Sequence, residues 1–427
     1  MDEVFLKFKK GSNHEPPVSG SNNPSKLHSV KLLFCNFTHP RSHDVRHGKI
    51  SAPEQEGESD RISSLPDPLL HRILSFLPIK EAIAKSLILS KRWTPLGLAM
   101  PALDIHDTGF ATLNSLIQFV DAVLFLSHPK PINMFRLKCQ RFQVPPVRIN
   151  LWINFLMKRR VEHLELCFAD LNSYSHVDVP ACIFHSSTIK VLKLAKVKLN
   201  VRSVYLPSLK VLHLVEVQLS NAESVANILN GCALLEDLVL KSCSGPSKDF
   251  KYPRIGRFEH LVSAEVQLSW VPLAAFNNVR LLRIEDEQFC RSLSLSCFRT
   301  TFYNLTHLEF SCLTSDVDIL VTFLRKFPKL EILAIHKLDP ILERSSVKSM
   351  LDVPQCLSTH LKKFCLGEYR GSECEFELAT FIMKNASVLR NISICSSANE
   401  NADARLQMLI RLSSCPRGSL NCRLLFN

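Results

Sequence analysis

Cysteine and histidine offer this chain the most chemistry, and their spacing leaves most of it unused. Fifteen cysteines and 16 histidines occur in 427 residues. No two cysteines form Cys-x-x-Cys, and the closest pairs, Cys290/Cys297 and Cys415/Cys422, are too loose for a familiar zinc pattern. The histidines are spread singly, which suits surfaces better than a metal cluster. Asp316 and Asp318 alternate near a helix start, where capping or solvation accounts for them better than an acid/base pair. No glycine-rich phosphate loop, His-Glu-x-x-His or Gly-x-Ser-x-Gly is present. No catalytic residue, cofactor or metal is therefore expected. What remains is recognition by charge and hydrogen bonding. The candidates are His163, Glu165, Cys167, Lys193, His213, Asp237, Lys241, Glu265, Arg283, Glu285, His307, Glu309 and His336.

Those residues share one relation to their neighbours. Each flanks an apolar position in a recurring pattern, apolar-x-x-apolar-x-apolar. Copies run Val161/Leu164/Leu166, Ile189/Leu192/Leu194, Leu209/Leu212/Leu214, Leu235/Leu238/Leu240 and Leu261/Ala264/Val266. They continue at Val279/Leu282/Ile284, Leu305/Leu308/Phe310, Leu330/Leu333/Ile335, Leu361/Phe364/Leu366 and Leu389/Ile392/Ile394, with a degenerate copy at Phe135/Leu137. Middle residues lie 18 to 31 apart. This is a leucine-rich-repeat signature: a short strand with alternating side chains, then an outer return. Alternation sends the flanking polar residues to the face opposite the core, forming one ribbon of mixed charge that suits a client protein's surface. Helical returns are predicted at Ala222–Leu229, Val317–Phe327 and Phe376–Ala386, and a loop at Ser244–Ile255. One copy cannot bury its own apolar face, so the copies must stack into a solenoid.

Ahead of the repeats, residues 60–105 read as a small helical module. Asp67 can cap a helix with Pro68 at its first position. Leu69, Leu70, Ile73, Leu74, Phe76 and Leu77 follow at helical spacing, and Pro78 stops them. A second helix fits Ile79–Leu87, and Ser90 can cap a third that carries Lys91, Arg92 and Trp93. About 45 residues cannot bury a sizeable core alone, yet the first helix is apolar over more than one face. The excess must cover either the chain's own next domain or a partner. A linker helix follows at Ala111–Leu126, striped by Leu113, Leu116, Ile117, Val120, Val123 and Leu124, and ended by Pro129 and Pro131.

The order Leu65-Pro66, then LLHRILSFLP, then LSKRW resembles the F-box in its plant-type form. Two departures stand out. AIAKSLILSKRW is one residue longer than the usual pattern, and one residue turns a helix by about 100°. Gly97 also stands where a large aromatic is common. From Val353 the chain is similar to the FBD region that closes many plant F-box/leucine-rich-repeat proteins. That likeness is carried by VPQCLSTHLKKFCLGEYRGSECEFELATFIMKNASVLRNISI and the terminal CPRGSLNCRLLF. The resemblance implies two final strands with a helix between them, Leu420–Phe426 being the last.

The resulting expectation is an α/β (α+β) chain. Residues 1–59 form a disordered leader, with VKLLFCNF a possible short strand. Residues 60–105 form the F-box, 106–352 the linker helix and repeats, and 353–427 an FBD region closing an irregular solenoid. The resemblance implies a non-catalytic substrate receptor of a cullin-RING ubiquitin ligase, reached through a Skp-type adaptor. Leu65, Pro66, Leu69, Ile73, Leu77, Pro78 and Trp93 are candidates for the adaptor interface or the local core. The competing expectations are a scaffold detached from any ligase and a receptor holding a small ligand in the solenoid's concavity.

Net charge is +12, and the first 60 residues carry eight Lys/Arg and eight Asp/Glu, so the excess lies in the body. A basic body suits an acidic client or adaptor. The densest basic run, Lys158-Arg159-Arg160, is too short and too poor in aromatic neighbours to argue for direct nucleic-acid binding. No secretory signal is read in Met1–Lys10 and no run of 18 apolar residues exists, so nucleus or cytoplasm, with reduced core thiols, is the expected setting.

Overall fold

A computed structural model of the chain describes residues 62–89, 92–126, 131–169, 176–221, 223–245, 255–256, 258–285, 300–311, 313–314, 317–339, 353–398 and 400–427. The leader with VKLLFCNF, the Ser90 cap, Lys91, Cys290/Cys297 and Asp316 lie outside them, as does most of the Ser244–Ile255 loop.

The chain opens on three helices, α1 (Asp67–Ser75), α2 (Ile79–Leu89) and α3 (Trp93–Leu98). Three details correct the sequence expectation. Pro66 takes the cap position of α1, so Asp67 is its first residue and Pro68 its second. Proline is tolerated at either place because the first-turn N–H groups have no intrahelical partner. The Asp67 carboxylate makes no cap and instead meets Arg92 Nη2 at 3.3 Å. Helix α2 runs two residues past Leu87, and α3 begins at Trp93 rather than before it.

Trp93 stays in the core at 4% exposure, and its indole N–H donates to Ser63 Oγ at 2.7 Å. Arg92 donates to the Ser63 carbonyl and, at 2.7 Å, to that of Leu65. The Leu-Pro entry and the Lys-Arg-Trp exit are therefore fastened to each other. Gly97 has an equally local reason. A Cβ there would lie 1.9 Å from Ser86 Oγ and 2.6 Å from Ser86 Cβ. Buried Ser86 and Gly97 let α2 and α3 approach more closely than an aromatic would allow.

The solenoid starts earlier than the repeat pattern predicts. β1 (Ala102–His106) precedes helix α4 (Leu113–Leu126), and the degenerate copy is a full strand, β2 (Met134–Cys139). An unanticipated helix, α5 (Pro146–Lys158), returns the chain to β3 (His163–Phe168). It buries Ile149, Trp152, Ile153 and Leu156 at i, i+3, i+4 and i+7. Then come β4 (Val177–Asp178), β5 (Val191–Ala195), β6 (Val197–Leu199), β7 (Val211–Val215), β8 (Gln218–Leu219) and α6 (Ser224–Asn230). β9 (Asp237–Lys241), β10 (Ser263–Val266), β11 (Leu281–Ile284), β12 (His307–Phe310), β13 (Leu313–Thr314) and α7 (Val317–Leu324) follow. The last part holds β14 (Ile332–Ile335), β15 (Leu338–Asp339), α8 (Gln355–Thr359), β16 (Lys363–Tyr369), α9 (Glu373–Asn385), β17 (Asn391–Ser396), α10 (Ala402–Ser413) and β18 (Arg423–Phe426).

Among the described residues, thirteen strands form one sheet in the order β1-β2-β3-β5-β7-β9-β10-β11-β12-β14-β16-β17-β18. Every pairing is parallel, as stacked coils of similar build require. Leu103, Phe135, Leu164, Leu192 and Leu212 stand in one register across successive strands and are all buried. The module is not a separate body. Leu70, Leu74 and Trp93 belong to the same apolar core as the repeats, and Lys80 donates to the Gly109 carbonyl at 2.9 Å. Helix α9 carries a capping box, Ser372 with Glu375, and the strand–helix–strand ending implied by the FBD likeness is present as β17, α10 and β18. β18 is the sheet's last strand.

Candidate interaction surfaces

The first surface lies on the helical module. Helix α1 buries Leu70 and Leu74 and leaves other apolar side chains open: Leu69 is 48% and Ile73 40% exposed, and Phe76, at its C-terminal cap, 77%. Pro66 and Pro78 are also exposed, while Leu65 and Leu77 are half-buried against the core. Of the sequence candidates, Leu69 and Ile73 therefore lie one turn apart on an open side of α1, and Pro66 and Pro78 are exposed at its two ends. Trp93 does not. It is a core residue, because its indole N–H finds its partner only inside the module. Phe76, Ile62, Ile88 and Leu89 are exposed apolar residues that the sequence candidates omitted. Phe76 was legible as one apolar residue too many for the stripe that ends in Leu74 and Leu77.

The second surface is the solvent face of the long sheet. Strand after strand alternates buried with half-buried residues, so the polar candidates do stand on one face. The register brings their charges together. Arg136 meets Asp104 and Glu165, each at 2.8 Å. His213 meets Asp237 at 2.7 Å. Lys241 meets Glu285 at 2.7 Å, reaching across β10, and Glu265 at 3.6 Å. Arg283 meets Glu265 at 2.9 Å and Glu309 at 2.7 Å, and Glu309 also meets His336. Asp104 and Arg136 were not among the sequence candidates, although Met100/Leu103/Ile105 and Ile132/Phe135/Leu137 both fit the repeat pattern. Lys193 stands in register between Glu165 and His213 and makes no ion pair among the described residues. The ribbon's charge is thus largely self-neutralised, with Lys193 left without an ion pair among the described residues.

Titration follows these contacts. Burial alone would raise the Glu165 carboxyl, but the hydrogen bond and charge of Arg136 hold it below the usual value. Glu309 is likewise held down by His336 and Arg283 against its burial. The His213 hydrogen bond lowers Asp237, and desolvation lowers the His163 imidazolium. For the carboxyls, the folded value lies below the unfolded 4.5 (Glu) or 3.8 (Asp), so their contribution is present above those values and lost as pH falls through the lowered ones. His163 acts in the same direction below 6.5, since the unfolded imidazole binds the proton first. Thermal melts should therefore show stability slipping below pH 6.5 and dropping more steeply below 4.5. Glu165→Gln combined with Glu309→Gln should flatten the lower step. An unchanged acid limb in that variant would remove the ribbon from the account.

Three deeply buried thiols are held in their protonated form. Desolvation pushes Cys139, Cys232 and Cys356 up to about 12. Among the described residues no group of three or more His, Cys, Asp or Glu is placed to hold a metal ion, and no helix is long and apolar enough to cross a membrane.

A three-helix module with an open apolar face, fused to a parallel leucine-rich-repeat solenoid, defines an interaction protein of repeat architecture. Comparison with known proteins supplies the family. Residues 62–94 match the family model of the F-box domain, 149–256 that of the LRR repeats of the FBD-associated F-box protein At5g56370, and 349–394 that of FBD. F-box/FBD/LRR-repeat protein At5g56420 of Arabidopsis thaliana is 30% identical over 86% of this chain and 99% of its own length. F-box/FBD/LRR-repeat protein At4g26340 of the same plant is 31% identical over 86% of this chain and all of its own length. F-box/LRR-repeat protein At4g14103, also from Arabidopsis, is 37% identical over 45% of this chain and 52% of its own. The chain belongs to the plant F-box/FBD/LRR-repeat family.

Proposed function

We propose that this chain is the substrate-recognition subunit of an SCF-type cullin-RING ubiquitin ligase. Its F-box docks on a Skp-type adaptor, and through it on a cullin, while the repeats hold a client protein. The observation that carries the reading is the open face of α1. Leu69, Ile73 and Phe76 are in excess of what the module's own core uses, and no described residue covers them. Such a face is stabilised by burial against a partner. The chain supplies proximity and orientation, and the bond-making chemistry belongs to other subunits. The self-paired ribbon around Lys193 supports a polar, shape-reading contact with the client rather than a simple charge match. In this reading the protein works in the nucleus or cytoplasm, where its desolvated thiols stay reduced.

The test is capture of the chain by a purified Skp-type adaptor, wild type beside Leu69→Ala/Ile73→Ala/Phe76→Ala. Binding by wild type and its loss in the folded variant supports the reading. A folded wild type that fails to bind transfers the case to a scaffold outside the ligase.

A further inference from the structure

The N-terminal rim of the long sheet is itself a ladder. The residue just before each strand donates its N–H to the carbonyl of the equivalent residue one coil earlier, as Lys190 does to Glu162, Lys210 to Lys190, Glu236 to Lys210, Lys362 to Glu331 and Arg390 to Lys362. Rim charges pair along it: Lys190 with Glu162 at 2.8 Å, Lys210 with Glu236 at 2.7 Å and Lys362 with Glu331 at 2.9 Å. At the C-terminal end the pairing stops. Arg390 follows Lys362, and Arg423, the first residue of β18 and in register with Asn391, donates its N–H to the Arg390 carbonyl at 2.9 Å. Neither arginine makes an ion pair among the described residues. Adjacent strands lie about 4.8 Å apart, so the three cations fall within roughly 10 Å along the rim.

They border an open groove of about 890 Å³. Ser387, Asn391 and Asn421 also line it, and no carboxylate does. Its far wall, the turn after α10, is fixed in place. The Gly418 N–H donates to the Met383 carbonyl at 2.8 Å, and a Cβ on Gly418 would lie 2.4 Å from the Lys384 carbonyl oxygen. Arg417 Nη1 donates to the Cys422 carbonyl at 2.9 Å, which shapes the stretch leading into Arg423.

We propose that this groove binds a phosphate monoester. Two guanidinium forks offer paired N–H donors whose geometry matches a phosphate's oxygens, Lys362 stands beside them already paired with Glu331, and the serine and asparagine side chains supply neutral donors. A dianion would satisfy the two arginines that the rim leaves unpaired. Whether a protein segment or a small molecule carries the phosphate, the chemistry of capture is the same. This inference does not rest on the ligase reading, since a failure to bind the adaptor leaves the groove unchanged.

The experiment is isothermal titration calorimetry of the full chain in low-salt chloride buffer. The probes are inorganic phosphate, a short phosphoserine peptide and the same peptide without phosphate. Both phosphate probes are expected to bind, and the plain peptide is not. Arg390→Ala/Arg423→Ala should weaken binding by about tenfold or more. Arg390→Lys/Arg423→Lys should restore part of it, and Arg280→Ala, on the same rim outside the groove, should leave it intact. Tighter binding of the phosphopeptide than of free phosphate assigns the source to a protein, and equal binding assigns it to a small molecule. The proposal is overturned if neither phosphate probe binds, if the double alanine variant binds like wild type, or if Arg280→Ala weakens binding as much.

Discussion

Ile73→Glu is expected to abolish adaptor binding while leaving the fold intact, and Leu74→Ala, one position along, to do the reverse. The two residues sit side by side in sequence and point in different directions on α1. Ile73 is 40% exposed, whereas Leu74 is in the core. At position 73 the change removes apolar area from the proposed contact and puts an uncompensated carboxylate into it. Burying such a charge costs several kcal/mol, so affinity should fall by at least about a hundredfold. The folded chain should hardly notice, because glutamate is a good helix former. Its one penalty, a negative charge near a helix C-terminus, is about 0.3–1 kcal/mol. At position 74 the change leaves a cavity beneath the module and should cost about 2–5 kcal/mol of stability. Adaptor binding measured by interferometry, beside thermal melts of each variant, separates the two. Undiminished binding by Ile73→Glu would show that the open face of α1 is not the docking surface.

Trp152→Ala is expected to be the most damaging single change in the early coils. The side chain is buried in the angle between α4 and α5, and its indole N–H donates to Asp121 Oδ1 at 2.7 Å. Arg148 holds the other oxygen of Asp121 at 2.9 Å. Truncation removes a large buried ring and one of the two partners of a half-buried carboxylate, for about 3–5 kcal/mol in total. Trp152→Phe keeps most of the volume and should cost about 1–2 kcal/mol, mainly the lost hydrogen bond. Because each coil leans only on its neighbours, the early coils should melt ahead of the rest in the alanine variant. Urea denaturation followed by circular dichroism would then show two steps instead of one. A single transition at the wild-type midpoint would contradict this account of α5.

Much of the solenoid was legible because each repeat carries its own local signal. Leu164 and Leu166, or Leu212 and Leu214, alternate with polar residues, and alternation alone assigns inward and outward faces. The copies that escaped show where the signal fails. Met100/Leu103/Ile105 fits the repeat pattern, but it sits where the helical module was expected to end. Helix α5 opens on Pro145-Pro146, which reads as a turn before its apolar spacing is noticed. Trp93 was ambiguous because an apolar residue in a docking motif serves core or contact equally well until its N–H partner, Ser63, is located.

The chain's order alone determined the repeat registers, the face on which the ribbon residues stand, and the Leu-Pro and Lys-Arg-Trp ends of the module. These depend on side-chain alternation and helical spacing, which are set by covalent geometry within a few residues. Only the tertiary structure decided which charges neutralise each other. Arg136 and Glu165 are 29 residues apart, Lys241 and Glu285 are 44, and Arg283 and Glu265 are 18. Those distances follow no period, because coil lengths vary while strand pairing does not. The same long-range stacking left Leu69, Ile73 and Phe76 exposed, buried Trp93, and set Arg390 and Arg423 side by side with no ion pair among the described residues.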